Sequence, residues 1–206
     1  MVAIIDYGVG NLFSLRSSLK SIGAQAVITR DRAEIGRADH ILLPGVGAFA
    51  DAAAALRETG MAEAVLAECR KGKPLLGVCL GMQLLFDESL EYGRHPGLGL
   101  IPGTVRPIAE VIDPALKIPH IGWNALHITR PGGILKYTAE GEHVYFVHSY
   151  WADAPAAFVT ATAEYSAPLT ASVQRGNVIG TQFHPEKSGD VGLGMLRAFC
   201  EMEGRT

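Results

Sequence analysis

Residues 77–81, Gly-Val-Cys-Leu-Gly, place a cysteine in a setting that suits a nucleophile. Glycines on both sides of Cys79 allow the sharp strand-to-helix turn that lifts a nucleophile above the edge of a sheet. The N-terminus of the following helix would favour the thiolate, and the Leu80 N–H could donate a hydrogen bond to an oxyanion. A buried, inert cysteine in a glycine-rich turn explains the same pattern, so this segment alone leaves both interpretations open.

Residues 182–186, Gln-Phe-His-Pro-Glu, supply the base that a thiol nucleophile needs. In an extended segment, residues two apart point to the same face, so His184 and Glu186 should lie side by side, with Pro185 stiffening the spacing. A carboxylate beside an imidazole fixes its tautomer and stabilises the imidazolium. Together the two segments predict a triad of Cys79, His184 and Glu186 for acyl transfer. Taken alone, the histidine and glutamate could be two surface side chains after a strand.

A third segment, residues 44–49 with the sequence Pro-Gly-Val-Gly-Ala-Phe, follows another apolar run. Two glycines in a loop at the end of a parallel strand allow the backbone to come close to a ligand. The N–H groups of this loop could then complete an oxyanion hole. An ordinary tight turn between a strand and a helix explains the segment equally well.

Other glycine-containing and histidine-containing segments point away from nucleotides and metals. Residues 6–11, Asp-Tyr-Gly-Val-Gly-Asn, lack the third glycine of a dinucleotide-binding fingerprint because residue 13 is Phe, and no phosphate-binding Gly-Lys-Ser/Thr sequence is present. Three histidines, His120, His143 and His148, lie in strand-like segments and are more typical of structural positions than of metal ligands. The sequence therefore predicts no metal site and no cofactor.

The elements that must position these residues alternate between strand and helix in the first half of the chain. Apolar runs predict strands over residues 2–5, 26–29, 40–43 and 75–78. Helical spacing predicts helices over residues 12–22, 49–71 with a break near Gly60, and 80–85. This alternation is typical of a parallel sheet with helices on both faces.

The second half is richer in strands, which are predicted over residues 105–108, 125–128, 143–147, 157–162, 169–174 and 178–183, before a last helix over 191–202. No composition break, linker or repeat divides the chain. We therefore expect a single α/β domain over residues 1–206, with a central, mostly parallel sheet flanked by helices and an added β-rich portion.

Composition excludes several classes of protein. The 206 residues include 18 Lys and Arg against 21 Asp and Glu, so no general basic field attracts nucleic acid or anionic lipid. The longest uncharged apolar stretch, residues 74–86, is shorter than the roughly 20 residues of a membrane-spanning helix. Residues 1–6 lack the basic start of a signal peptide. Three cysteines without a Cys-x-x-Cys motif favour a reducing compartment, so we expect a cytoplasmic protein.

Taken together, residues 77–83 and 180–186 resemble the triad segments of the class I glutamine amidotransferases. Further matching segments, at 6–11, 44–49, 97–100, 118–124, 145–150 and 186–188, span nearly the whole chain in the expected order. Within the superfamily, residues 118–124 and 145–150 are most similar to the glutaminase subunits of imidazole glycerol phosphate synthases. Met82 stands where sister amidotransferases often have His, and Ser166 stands where we would expect Gly.

The resemblance implies hydrolysis of glutamine to glutamate and ammonia through a thioester on Cys79, with His184 carrying protons and Glu186 orienting it. Ammonia then passes through a tunnel to a cyclase subunit in a heterodimer. The resemblance also implies an oxyanion hole made by the Leu80 N–H and the Val46–Gly47 peptide. That loop is expected to need rearrangement, so the isolated subunit should be nearly silent.

The resemblance suggests two further sets of residues. Expected contacts to glutamine are Gly45, Gln83, Ser149 and Tyr150. Expected contacts to the partner subunit are Asn11, Trp123 and Asn124, although Trp123 could equally be a core aromatic. Three alternatives stay open: an amidotransferase subunit of another synthase, a stand-alone cysteine hydrolase, and a non-catalytic thiol-sensing module.

Overall fold

The apolar runs of the first half form the parallel part of the main sheet. The computed structural model describes residues 1–204. Its first four strands, in the spatial order β2-β1-β3-β4, are β1 (Val2–Ile5), β2 (Ala26–Thr29), β3 (His40–Leu43) and β4 (Leu75–Val78). These bounds confirm the predicted ones. Strands β1, β3 and β4 are buried along their whole length, which explains why their sequences are nearly continuous apolar runs.

Helices cover both faces of this sheet. They are α1 (Leu12–Ser21), α2 (Arg32–Arg37), α3 (Phe49–Glu58), α4 (Met61–Arg70), α5 (Leu80–Gln83) and α6 (Gly189–Cys200). Alternate residues of β1 enter the two halves of the core: Ile5 lies in the same cluster as Leu56 of α3. Ile4 lies in the other cluster, with Leu15 of α1 and Phe199 of α6. The predicted break near Gly60 is confirmed, because this glycine has a left-handed φ of 70° between α3 and α4.

The second half extends the main sheet and adds two smaller ones. Strand β14 (Val178–Thr181) pairs in parallel with β4, and the sheet continues antiparallel through β13 (Pro168–Arg175), β12 (Val159–Glu164) and β9 (His127–Ile128). A four-stranded sheet has the order β11-β7-β5-β6, with β5 (Phe86–Ser89), β6 (His95–Pro96), β7 (Ile101–Pro107) and β11 (Tyr150–Asp153). An antiparallel pair consists of β8 (His120–Ala125) and β10 (His143–His148). The expected α/β architecture with an added β-rich portion is thus confirmed.

Several boundaries differ from the sequence-based prediction. The helix expected over residues 80–85 ends at Gln83, because residues 86–89 turn into β5. The strand expected over 125–128 is two strands, divided at the buried Leu126, whose N–H donates to the Glu142 carbonyl. Strands β5, β6 and β11 and helix α2 were not predicted. Among residues 1–204, no helix has the length and apolarity needed to cross a membrane.

Candidate active site

Cys79 occupies a sharp turn between β4 and α5, and residues 77–81 that form it are called the elbow below. The φ of 55° and ψ of −114° at Cys79 are unusual for a residue with a side chain. The Cys79 N–H donates to the Thr181 carbonyl at 2.7 Å, which ties the turn to β14. A Cβ at Gly77 would lie 2.6 Å from the Gly81 carbonyl oxygen, and one at Gly81 would collide with the carbonyl of Leu43. Both glycines are therefore required for the turn to close against its neighbours.

His184 and Glu186 lie side by side, but not because the segment is extended. Strand β14 ends at Thr181, and Pro185–Lys187 form a 3₁₀ turn. The expected strand geometry is therefore wrong. The two side chains are nevertheless adjacent, as expected, with His184 Nδ1 2.8 Å from Glu186 Oε1. Both side chains are buried, with 4% and 1% of their surface exposed. Because Nδ1 is engaged by Glu186, Nε2 is the nitrogen that remains for Cys79, whose side chain is near enough to influence the pKa of the imidazole.

The partners of His184 determine its charge. Burial lowers the pKa of the imidazole, but the interactions with the Cys79 and Glu186 side chains, including the negative charges of both groups, outweigh burial and raise the pKa to about 9. These partners therefore favour the protonated form of the imidazole. An imidazolium beside a sulfur stabilises the thiolate, and it can deliver a proton to a leaving group. The arrangement suits nucleophilic acyl transfer.

Gln182 contacts the sulfur from another side, and no role was predicted for it. Its Nε2 lies 3.8 Å from Cys79 Sγ, and its Oε1 accepts a 2.9 Å hydrogen bond from Gln83 Nε2. Gln83 Nε2 also donates to the Tyr150 carbonyl at 3.2 Å. The amide of Gln83 is thus engaged within the protein. The sequence offered a signal for Gln182, since a strand continuing through residue 184 would place it on the same face as His184, although the structure ends β14 at Thr181.

These groups open into a cavity of about 700 Å³, which is ample for an amino acid. The predicted residues that line it are Val46, Gly47, Cys79, Leu80, Gln83, Ser149, Tyr150 and His184. Gly45, a predicted contact to glutamine, does not line the cavity. It packs against the turn that holds Cys79, where a Cβ on residue 45 would lie 2.5 Å from the Gly81 nitrogen. Glu186, which is not among the lining residues, contacts His184 at Nδ1 and so lies behind the imidazole as seen from the sulfur.

The wall of the cavity also includes Glu91 and Tyr92, which the sequence did not point to. Glu91 supplies the only carboxylate among the described lining residues, and its Oε2 accepts a 2.7 Å hydrogen bond from the Phe49 N–H. Tyr92 is 90% exposed and has a left-handed φ of 52°. Both residues follow β5, the strand that was not predicted, so nothing placed them beside the elbow.

The loop after β3 is fixed at its base and free at its tip. The buried Tyr7 hydroxyl donates to the Pro44 carbonyl at 2.7 Å. Burial, and then the nearby Cys79 charge, raise the pKa of this hydroxyl, so Tyr7 stays a neutral donor. In contrast, Val46 is 43% exposed. Gly47 has a φ of 94°, and a Cβ there would have nothing within 4 Å.

The residues expected at a partner interface have different surroundings. Trp123 is 56% exposed and contacts Tyr145 edge to face, so it is not a core aromatic. Ile118 and Ile121 are exposed beside it in sequence. The Asn124 amide is engaged within the chain, by the Glu164 carbonyl, the Ala125 N–H and the His120 ring. Asn11 precedes α1 without a side-chain capping bond.

The other cysteines and potential metal ligands do not form a second site in the described part of the chain. All three cysteines are free thiols. Burial, followed by the Glu68 charge, raises the pKa of Cys69 to about 12, which makes it an unreactive thiol at neutral pH. Within residues 1–204, no group of three or more His, Cys, Asp or Glu side chains is arranged to hold a metal ion.

Comparisons with known proteins agree with this geometry. The family described as glutamine amidotransferase class-I matches residues 3–201. Proteins named imidazole glycerol phosphate synthase subunit HisH are similar over nearly their full length. The one from Syntrophotalea carbinolica is 47% identical over 98% of this chain and 100% of its own. The one from Listeria monocytogenes is 46% identical over 98% and 96%, respectively.

Solved structures share the fold at lower identity. A protein described as a glutamine amidotransferase superposes with a TM-score of 0.73 at 21% identity, over 97% of this chain and 100% of the other. PurLQS from Thermotoga maritima gives a TM-score of 0.74 at 19% identity, over 97% and 96%. The family match covers most of the chain and includes both the elbow and the histidine segment. The chain therefore belongs to the class I glutamine amidotransferase family.

Proposed function

We propose that this chain is the glutaminase subunit of an imidazole glycerol phosphate synthase. In this role, residues 1–206 form one glutamine amidotransferase domain that hydrolyses glutamine and passes ammonia to a cyclase subunit in a heterodimer. The proposal is supported by relatives of that name at 46% and 47% identity over nearly the whole of both chains. It also implies a cytoplasmic location, which suits the free thiols of the described chain. Glutamine is a small zwitterion, which needs no basic surface for recognition.

The observation that carries the activity is one buried imidazole that hydrogen-bonds a carboxylate and lines the same cavity as a cysteine whose charge raises the pKa of the imidazole. Cys79 Sγ, as the thiolate, attacks the carboxamide carbon of glutamine and forms a tetrahedral oxyanion. The His184 imidazolium gives its Nε2 proton to the carboxamide nitrogen. The C–N bond then breaks, ammonia departs, and a thioester remains on Cys79. His184 then takes a proton from water as the water attacks. Collapse of the second oxyanion breaks the C–S bond and releases glutamate and the thiolate.

Glu186 supports both proton transfers without exchanging a proton itself. Its 2.8 Å contact with Nδ1 keeps Nε2 directed at the sulfur and stabilises the imidazolium. Burial of both side chains excludes water from this contact and makes it stronger than the same pair would be at the surface.

The proposed oxyanion hole combines a donor in the elbow with one in the loop. The Leu80 N–H lies directly after the nucleophile, and the Val46–Gly47 peptide would supply the second donor from across the cavity. Loss of one such donor costs on the order of 3 kcal/mol, or about a hundredfold or more in rate. An exposed loop that presents or withholds one N–H can therefore switch the reaction on when the partner binds. This gating keeps ammonia from being released to water.

The substrate groups of glutamine match the remaining lining residues. Its carboxylate would accept hydrogen bonds from the backbone of Ser149 and Tyr150, and Gly45 and Gln83 shape the floor of the site. Glu91 is the lining carboxylate that complements the α-ammonium group. Trp123 and Asn11 remain the proposed contacts to the cyclase, together with the strand that carries Asn124.

Substitution of Cys79 tests whether this chain only supplies ammonia while the cyclase carries out the synthesis. In the complex with the cyclase, Cys79→Ala should abolish glutamine-dependent synthesis and leave synthesis driven by added ammonium intact. Cys200→Ala is the matched control, because this thiol lies in α6 and does not line the cavity. The control variant should leave both reactions unchanged. Loss of both reactions in Cys79→Ala, or loss of neither, would contradict the proposal. Glutamine turnover by the lone chain at the rate of the complex would contradict gating.

A further inference from the structure

Two buried histidines beside the cavity have no part in the proton transfers. His148 ends β10, lines the cavity and is 6% exposed. His120 begins β8, is 4% exposed, and faces His148 in the antiparallel register. His148 Nδ1 lies 2.8 Å from the Tyr150 carbonyl oxygen, and its Nε2 lies 3.0 Å from His120 Nδ1. The pair therefore connects β8 to the segment that would hold glutamine.

Only one arrangement of protons satisfies this connection with neutral rings. A carbonyl oxygen accepts only, so His148 Nδ1 must carry a hydrogen, and the Nε2 of the neutral ring is then an acceptor. His120 Nδ1 must donate to it, which leaves His120 Nε2 to accept from Asn124 Nδ2 at 3.3 Å. Burial lowers the pKa of His148 to about 4, with smaller contributions from His120 and His184, so the neutral ring persists at neutral pH.

The outer end of this connection is anchored. The other hydrogen of the Asn124 amide goes to the Glu164 carbonyl at 2.9 Å, and its oxygen accepts the Ala125 N–H at 2.8 Å. The His120 ring is stacked on two aromatic rings, with centroid distances of 4.2 Å to Tyr165 and 5.0 Å to Phe146. His120 thus has little freedom to rotate, and it can fix the ring of His148.

The inner end meets the groups around the nucleophile. The Tyr150 carbonyl accepts from Gln83 Nε2 as well as from His148. The same Gln83 nitrogen donates to Gln182, whose amide reaches the sulfur of Cys79. The position of the Tyr150 carbonyl is therefore set from both sides.

We propose that His148, held in its tautomer by His120 and Asn124, is the positioning residue for the Ser149–Tyr150 segment that binds glutamine. The inference rests on the proposed function, because it assumes that glutamine occupies the cavity. His148 touches neither the proposed nucleophile nor the scissile bond, so its loss should weaken binding of glutamine more than it slows the chemistry. The signature is a raised KM with little change in kcat.

Two substitutions at one position separate the hydrogen bond from the ring. His148→Phe keeps a ring but removes both nitrogens, and should raise the KM for glutamine about tenfold, as expected for loss of one hydrogen bond to a buried acceptor. His148→Asn places an amide nitrogen near the site of Nδ1, so it should restore most of the affinity. His143→Phe, at the exposed start of the same strand, is the matched control and should leave KM unchanged.

The assay uses the complex with the cyclase, with kcat and KM measured for glutamine and for ammonium. Unchanged KM in His148→Phe, or no recovery in His148→Asn, would overturn the proposal. Failure of the proposed function is distinguishable, because the wild-type complex would then not hydrolyse glutamine at all. An independent measurement on wild-type protein is the ¹⁵N imidazole spectrum at pH 7. It should show His120 and His148 both neutral with the hydrogen on Nδ1, and a hydrogen on Nε2 of either ring would also overturn the proposal.

Discussion

The two sides of the cavity are held in place in different ways. On one side, the side chains of Cys79, His184 and Glu186 are buried, Glu186 hydrogen-bonds His184, and Cys79 and His184 follow the adjacent parallel strands β4 and β14. On the other side, Val46 and Gly47 are exposed at the tip of a loop. The groups proposed to transfer protons are thus packed in the interior, and the proposed oxyanion donor lies in an exposed part of the site.

Within residues 44–47 of the loop, two buried residues are followed by two exposed ones. Pro44 and Gly45 are buried: Tyr7 bonds the first, and the second packs on the elbow. A Cβ at Gly10 would lie 2.8 Å from Pro44 Cβ, so a second loop also packs on this base. A partner could therefore change the orientation of the Val46–Gly47 peptide without disturbing the proposed triad. This separation is what control of the rate by a second subunit requires.

The largest effect should come from breaking the fixed side. Glu186→Gln replaces the carboxylate with an amide that can no longer stabilise the imidazolium. Glutamine hydrolysis by the complex should fall by a factor of about 10² to 10⁴, by analogy with the loss of the carboxylate from other triads. Synthesis driven by ammonium should not change. A loss of less than threefold would mean that Glu186 does not act through His184.

The same fixed side was partly predictable from the sequence, because its signals are local. Strands β1 to β4 were predicted with correct bounds. Strands β1, β3 and β4 are buried on both faces and read as short apolar runs, and the partly buried edge strand β2 is rich in β-branched residues. The elbow was predictable because only glycine fits at residues 77 and 81. The pairing of His184 with Glu186 was expected for a geometric reason that proved wrong, since a 3₁₀ turn and not a strand brings them together.

The remaining parts of the site depend on contacts between distant residues. Strand β5 has the sequence Phe-Asp-Glu-Ser and is only partly buried, so the sequence contains no apolar run that predicts this strand. Glu91 therefore could not be placed at the cavity. The contact between His120 and His148 joins residues 28 apart and depends on the register of β8 with β10, which sequence periodicity does not specify.

A matched pair of glycine substitutions should locate the boundary in the loop. Gly45→Ala forces a Cβ to within 2.5 Å of backbone in the elbow, and overpacking of this kind costs about 1–3 kcal/mol or more. Gly47→Ala meets open space and pays only for its left-handed φ, about 1 kcal/mol. At roughly 2–4 °C per kcal/mol for a chain of this size, the melting temperature should fall further for Gly45→Ala. Equal decreases would mean that the base of the loop is no better fixed than its tip.

The pH dependence of stability should come from the buried histidines beside the cavity. The loop cannot contribute, since its residues 44–47 contain no ionisable side chain. The pKa of His184 is raised to about 9, so its contribution is fully present below pH 6.5 and is lost as the pH rises towards 9. The pKa of His148 is lowered to about 4, so the unfolded chain gains this proton first, and stability is lost as the pH falls from 6.5 to 4.

Urea unfolding across this pH range would separate the two histidines. His184→Gln should remove much of the decline above pH 6.5, and His148→Asn should remove much of the decline below it. Each substitution serves as the control for the other, because the two pKa shifts have opposite signs. A His184→Gln variant whose stability falls above pH 6.5 as steeply as that of the wild type would show that the imidazole is not held in its charged form.

The smallest effect should come from loosening the base of the loop while leaving the proposed triad intact. Tyr7→Phe removes one hydroxyl and leaves the buried Pro44 carbonyl without this donor, at a cost of about 1–2 kcal/mol in the free energy of unfolding. Glutamine hydrolysis by the complex should fall severalfold, because the proposed second oxyanion donor is less well placed, while ammonium-driven synthesis is unchanged. Tyr137→Phe is the matched control: its hydroxyl bonds Glu201 at the same 2.7 Å, but at the surface, where water replaces it. If both variants behave like the wild type, the loop is held by its glycine contacts alone, and the fixed side of the cavity ends at the elbow.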